Sequence, residues 1–585
     1  MKKKPLLLRW IGAGLLGTLA LIYASSFLPG RADLTAEGRY TLSPATKQLL
    51  AGLQAPVTVT VLLQGSQLPA GFTRLAMSTQ AFLAQCERQN PANFRFRFVN
   101  PDQFVTDSVL FPLNDSAKQG WLKANAIKQT EQVESGTKAV FIYPLALVEY
   151  DGGFAPVNLL QGQGNKGFLN PGANLLQSEV INNAEAQMEY QFASSVASLV
   201  QNRIPIVAYS IGNGQPQGPE TYDLNTTLQA KYRFFLLNLN TEPFISDSIK
   251  ALLMVKPTLP FTDLQKLKLD QYLMRGGRLL LAVDQLNAGM DTLMANGSQL
   301  TAFSRNLNLD DLLFKYGVRI NNDLVQDRQA DMLPQNVGSV GGQPQIELLP
   351  WPYFPLLYSS TNHPIAKNLD AVVMQFPNSI DTVKAEGIEK NILLASSNTS
   401  RVEGAPALVS VNVLKQNDNA SAYQQAYVPL AVLLEGRFKS LYANRMGPAQ
   451  IDSMQAAGRP FLTTGSAAGK VLVTGDADWV LNGVTRKGPL PMGVNPYTQY
   501  QFANKDFLLN SLEYLTDETG IMATRGKSFT LRVLDPKRLE TQKQYWQWFN
   551  IGLPLLLLLL LAAVLGFWRR QKYTRATLAH PTPTQ

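Results

Sequence analysis

The chain has 585 residues, 45% of them apolar and 16% charged, with a net charge of +9. Eight of those nine charges sit at the two ends, on Lys2, Lys3, Lys4 and Arg9 and on Arg569, Arg570, Lys572 and Arg575. Residues 29–548 are therefore near neutral and do not read as a binder of nucleic-acid phosphates. One cysteine, Cys86, and two histidines, His363 and His580, exclude an intramolecular disulfide, a multi-cysteine metal site and a histidine cluster.

In chain order, a basic stretch at residues 1–9 precedes an uncharged run at 10–28, long enough as a helix to match one hydrocarbon core. Its length favours an uncleaved transmembrane anchor. Ala24-Ser25-Ser26 keeps a cleaved signal peptide as the alternative. Ser43-Pro44 predicts a helix start, with the hydroxyl as cap and proline in the first turn. Val57 to Leu63 predicts a strand, Phe72 to Gln89 a helix, and the alternation Phe94-Arg95-Phe96-Arg97-Phe98 a half-buried strand. Ala139 to Tyr143 and Leu145 to Tyr150 predict two more strands. Together, residues 30–170 read as a small α/β domain.

Asn174 to Gln201 contains no Gly or Pro and predicts a long helix. Strands and helices then alternate: Ile204 to Tyr209, Tyr222 to Tyr232, Phe234 to Leu237, Ala251 to Val255, Asp263 to Met274, and Arg278 to Val283. Further strands are predicted at Ile392 to Ala395, Leu430 to Leu434 and Lys470 to Thr474. Short apolar runs between helices predict a parallel, doubly wound sheet over residues 174–540. The Pro- and Gly-rich stretch 338–381 reads as an irregular insertion. Residues 549–568 are uncharged, carry seven consecutive leucines and predict a second transmembrane helix, followed by a basic tail at 569–585. Basic clusters on the terminal side of both spans place both termini in the cytoplasm and the body across the membrane.

The motifs that could carry chemistry are weak. Gly162 to Gly167 fits G-x-G-x-x-G, but Asn170-Pro171-Gly172 follows where a helix must open, so a linker is expected. Gly520 to Ser528 misses the phosphate-loop spacing, so no ATP hydrolysis by this chain is expected. No G-x-S-x-G is present. His363, in a loop, and Cys86, on an apolar helix face, read as packing residues. Asp476 and Asp478 offer two oxygen ligands for a hard cation, though a turn stabilised by one of them is the simpler reading. No catalytic, cofactor or metal residue is assigned. The polar strand ends Ser210 to Pro216, Asp284 to Asn287 and Asp476 to Asp478 would line a cleft in such a sheet.

Several stretches together carry a resemblance: Asp33-Leu34-Thr35 and Arg39 to Pro44 after the first span, Trp351 to Pro355, Asn362 to Ile365 with Lys367 to Asp370, Phe376 to Asp381, and Thr474 to Trp479. In order and spacing the chain resembles the GldG family of gliding-motility-associated ABC transporter auxiliary proteins. The resemblance implies a GldF-like permease partner, a separate GldA-like ATPase and a glutamine-amidotransferase-like sheet, whose G-x-C-x-G nucleophile elbow is missing here. The expectation is thus a non-enzymatic auxiliary, substrate-binding-type subunit. It would be two-pass in the inner membrane, with its large domain in the periplasm, its partners the permease and the bilayer, and no cofactor. A periplasmic solute- or glycan-binding protein and a membrane-anchored hydrolase are the alternatives.

Overall fold

The computed structural model describes residues 41–65, 68–101, 104, 122, 126–133, 136–160, 174–201, 204–359, 361–411, 420–456, 458–526 and 536–577. The first predicted span, the G-x-G-x-x-G stretch and the 170/174 boundary lie outside the described residues. The chain divides between residues 529 and 530 into two units.

The first unit opens with helix α1 (Pro44–Ala51), where the Ser43 hydroxyl accepts from the Thr46 N–H and proline fills the first turn. Strand β1 (Val57–Val61), helix α2 (Ala70–Gln89) and strand β2 (Phe94–Phe98) follow. Next come β3 (Ile127–Val133), β4 (Gly136–Ile142), β5 (Leu145–Tyr150) and β6 (Gly153–Asn158). The first sheet runs β2-β1-β5-β6, with β1 and β2 parallel and the rest antiparallel. The strand expected at Ala139 to Tyr143 does not join it. It forms β4, which among the described residues pairs only with β3, as a separate hairpin.

Helix α3 (Asn174–Gln201) has two apolar faces. Ile181, Ala184, Met188 and Phe192 pack with α2 and the first sheet, and Cys86 is buried in the same cluster. Tyr190, Ala193 and Ala197 pack against Ile521 and Met522. A helix buried on two sides lacks a clean polar stripe, which is why periodicity alone does not orient it.

The second sheet uses β7 (Ile206–Ile211), helix α4 (Tyr222–Lys231), β8 (Arg233–Asn238), β9 (Ile249–Val255), helix α5 (Asp263–Met274) and β10 (Arg278–Ala282). After them come helix α6 (Asp310–Tyr316), the hairpin β11 (Ala330–Val340) and β12 (Gln343–Leu357), then β13 (Ile388–Ala395), β14 (Pro429–Gly436), β15 (Gly469–Thr474) and helix α7 (Asn504–Thr516). The order is β13-β14-β15-β10-β9-β7-β8. The five strands from β15 to β8 are parallel. Strands β14 and β13 are antiparallel, which corrects the expectation of a wholly parallel sheet. An apolar run encodes burial but not direction; direction is set by the connections.

Alternate residues feed two cores. Ala251, Leu253 and Val255 of β9 join Leu224 and Leu228 of α4 and Phe507, Leu508 and Leu512 of α7. Leu252 and Met254 join Leu269, Tyr272 and Leu273 of α5 and Leu312, Leu313 and Tyr316 of α6. Helices thus cover both faces of the sheet.

The stretch 338–381 is irregular only in part: among the described residues, 358–371 and 374–379 carry no strand or helix, but 338–357 does. Its first part completes the β11–β12 hairpin, with register shifts at Ala330/Met332 and Asn336/Gly338. Pro344, Pro350, Pro352 and Pro355 all lie in β12, which pairs with β11 along one edge and with a second strand only at Leu356 and Leu357. A strand with a free edge tolerates missing N–H groups, so the prolines mislead a sequence reading here.

The second unit is described from Pro536. Helix α8 (Pro536–Thr577) contains the apolar stretch Gln544–Arg570, which is long and apolar enough to cross a membrane.

Candidate functional site

Register explains why distant residues meet at the carboxyl ends of the parallel strands. Val255, Ala282 and Thr474 pair at one level across β9, β10 and β15. Lys256 stands one residue beyond that level, Asp284 and Asp476 two beyond, and Asp478 four beyond. The three carboxyl groups offer oxygens all within 4.8 Å of one another.

Lys256 occupies the middle. Its Nζ lies 2.5 Å from Asp478 Oδ1 and 3.5 Å from Asp284 Oδ2. Its backbone takes φ +48, a left-handed conformation, and its N–H donates to the Ala282 carbonyl at 2.9 Å. That conformation costs about 1–2 kcal/mol in a residue with a Cβ. Burial works against the Lys256 ammonium, but Asp478 and Asp284 beside it outweigh burial and hold its pKa above the ordinary value. Burial pushes the Asp284 carboxyl up to about 6, against the pull of Lys256. Asp476 is held well above the ordinary range by burial and by the charges of Asp478 and Asp284. Three oxygen donors suit a hard cation, yet the ammonium already supplies the positive charge among them.

The same carboxylates tie loops together. Asp284 Oδ1 accepts from the Ala477 N–H at 2.7 Å, and Asp476 accepts from Asp478 N–H at 2.9 Å and Gln375 N–H at 3.0 Å. Segment 375–378 therefore lies over the strand ends. Asn378 accepts from Gln285 N–H through its side chain at 2.7 Å and donates its own N–H to the Gly475 carbonyl at 2.6 Å. A Cβ at Gly475 would collide with the Asn378 carbonyl, so glycine is required there. The stretches Phe376 to Asp381 and Thr474 to Trp479 are thus in contact. Trp351 and Phe354 join them through Phe376, at ring-centroid distances of 5.5 and 5.4 Å.

Of the three strand ends expected to form a cleft, two converge and one does not. The order β8-β7-β9 places the reversal of strand order between β7 and β9, where such sheets open a crevice. Here the two loops are joined: Asn213 accepts from Thr258 N–H at 2.9 Å and Leu259 N–H at 3.0 Å, and donates from its amide to Gln265 at 3.0 Å. The end at Ser210 to Pro216 is bonded to the loop 258–265, apart from the Asp cluster. Lys256 is the residue that sequence reasoning missed; a lysine after an apolar run reads as a solvated strand end.

His363 accepts from the Ile365 N–H at Nδ1, 3.3 Å away, and its ring lies 4.7 Å from Tyr514. Burial, with Lys470 nearby, lowers its pKa to about 4. Burial, with Glu189 adding, raises the Cys86 thiol well above its ordinary pKa, the reverse of what a nucleophile requires. Cys86 belongs to the first sheet's core and His363 packs on α7, so the two occupy different layers. In the near-match to a phosphate loop, Ile521–Gly526 forms a 3-10 helix, while Lys527 and Ser528 lie outside the described residues.

A family model described as an ABC-type uncharacterized transport system matches residues 205–511, from β7 into α7. A second model, a domain of unknown function (DUF7088), matches residues 36–149, which include the first sheet's strands β1, β2 and most of β5. No curated protein is detectably similar. Among solved structures, the mmIFT52 N-terminal domain is 14% identical, over 53% of this chain and 97% of that chain, with a TM-score of 0.29. Exo-beta-1,4-mannosidase Op5Man5 from Opitutaceae bacterium strain TAV5 is 11% identical, over 58% of this chain and 39% of that chain, with a TM-score of 0.19.

Proposed function

Because the chain belongs to the ABC-type uncharacterized transport system family, whose match takes in the whole second sheet, we propose that it is a non-catalytic auxiliary subunit of an ABC transport complex, held in the membrane by α8. The family match carries this reading. Membrane attachment is supported by the apolar stretch Gln544–Arg570, whose leucine run is bracketed by Tyr545, Trp546 and Trp548 on one side and Phe567 and Trp568 on the other, a placement typical of interfacial anchors. In the finer form of the proposal, the chain is GldG-like and spans the inner membrane twice. Its basic flanks are cytoplasmic, its body is periplasmic, and it works with a GldF-like permease and a GldA-like ATPase, with a role in gliding motility or export.

A non-catalytic role is supported by the strand-end cluster, whose carboxylates are committed to Lys256 and to backbone N–H groups. Energy for transport then comes from the partner ATPase. Truncation before Gln544 tests the role of α8. The shortened chain is expected to stay folded and to lose co-purification with the permease, since helix packing in lipid makes that contact. Unchanged co-purification would overturn the role given to α8.

A further inference from the structure

The second sheet ends in two unlike edges. At one end β13 is blunted: it carries Glu389 and Lys390, and its register with β14 shifts at Ile392/Leu394 and Leu394/Ala395. Charges and bulges of this kind keep an edge from pairing with another chain. At the other end β8 pairs with β7 without a shift, and its one charge, Arg233, stands at its first position. Phe235 is 39% exposed and Leu236 48%. Phe234 packs on the core that contains α4, and Leu237 lies in the core that contains α5. By alternation, Phe235 and Leu236 lie on opposite faces of the sheet, so this edge is apolar on both faces.

The backbone of β8 has a free side as well. Arg233 N–H donates to the Pro205 carbonyl at 3.0 Å, and Leu239 N–H to the Ile211 carbonyl at 3.1 Å. These directions alternate along a strand, so the N–H and C=O groups of Phe234, Leu236 and Asn238 point away from β7. Among the described residues, no backbone group bonds to Phe234 or Leu236 from that side, while the Asn238 carbonyl accepts from Glu242 N–H at 3.1 Å. Open backbone groups between two apolar faces are what an added strand covers.

Charge selects the strand. Lys231 and Arg233 are exposed at the start of β8, and Glu242 is exposed just past its end. An antiparallel second copy sets the basic end of each strand against the acidic end of the other. With Leu236 opposite itself on a two-fold axis, Phe234 meets Asn238 of the second copy, so every outward residue of β8 has a partner. The two Leu236 side chains then meet on one face, and Phe235 lies beside Leu237 of the second copy on the other.

We propose that two copies of this chain pair antiparallel along β8, joining their second sheets into one. The proposal does not rest on the transporter reading: capture of a permease tests that reading, and self-cross-linking tests this one.

The test is copper–phenanthroline oxidation of the full chain in native membranes. Leu236→Cys should give a disulfide-linked dimer, because hydrogen-bonded antiparallel neighbours have Cα atoms about 5.5 Å apart, within the roughly 4.4–6.8 Å that a disulfide spans. Arg233→Cys, displaced from its own copy by about 20 Å along the strand, should not. The wild type, whose free Cys86 is buried, is the blank. In sedimentation of the purified full chain, the wild type should be a dimer. Leu236→Lys, which sets like charges opposite each other, should weaken that dimer by at least roughly tenfold and keep the circular dichroism of the fold. Cross-linking of Leu236→Cys no greater than that of Arg233→Cys overturns the proposal. So does cross-linking of Leu236→Cys to a different protein instead of to itself, a monomeric wild type, or a dimer that survives Leu236→Lys.

Discussion

The ammonium of Lys256 stands between carboxylates on two different strand ends, 2.5 Å from Asp478 and 3.5 Å from Asp284. Replacing it with an uncharged side chain leaves buried carboxyl groups without their cation. Lys256→Met should therefore cost about 3–5 kcal/mol in denaturant unfolding, the scale for breaking one side of a buried pair. A loss below about 1 kcal/mol, the scale of an exposed pair, would show that the ion pairs are idle. The pH dependence has a definite sign. Asp284 titrates at about 6 when folded against an ordinary 3.8, so the folded chain keeps a proton there that the unfolded chain has released. Stability from this group is therefore full below about pH 4 and is lost as pH rises through about 6. Asp476 acts with the same sign. His363, lowered to about 4, acts oppositely: its contribution is present above 6.5 and is lost as pH falls toward 4. The Tm of Asp284→Asn minus that of the wild type should rise between pH 4 and pH 7. A flat or falling difference would contradict the assignment. Asp284, Asp476 and Asp478 were each legible in the sequence as polar residues after apolar runs. That they share one site was not, because β15 lies almost two hundred residues after β10 and only strand order brings them together.

At the scale of elements, what was legible is what is encoded locally. The bounds of Asn174–Gln201 were readable from the absence of breakers, and the end of Asp263–Met274 from Gly276-Gly277 just beyond it. The structure adds a capping box at Thr262, where the side chain accepts from Gln265 N–H and the Gln265 side chain accepts from Thr262 N–H. The β11–β12 hairpin was not legible, since its prolines mimic a loop, and neither was β3. The antiparallel edge of the second sheet was hidden for another reason: Pro429–Gly436 has the same buried, apolar pattern as its parallel neighbours. The junction between segment 375–378 and β15 has its own test. Gly475→Ala places a Cβ against the Asn378 carbonyl and should destabilise the protein by about 1–3 kcal/mol, the usual cost of overpacking. An unchanged midpoint would mean that segment 375–378 moves aside freely and does not cap the strand ends.

At the scale of the molecule, the family match covers the second sheet, and the apolar stretch Gln544–Arg570 is long and apolar enough to cross a membrane. Its 27 residues rise about 40 Å, more than the thickness of a hydrocarbon core. An apolar helix of this kind needs lipid or another helix around it, and a transport complex provides both. The measurement that bears most directly on this account is affinity capture of the full-length chain from native membranes, with the captured proteins identified and quantified against the bait. The account predicts an ABC permease and an ABC ATPase, each in amounts comparable with the bait. Capture of neither, from membranes in which all three proteins are present, would contradict it.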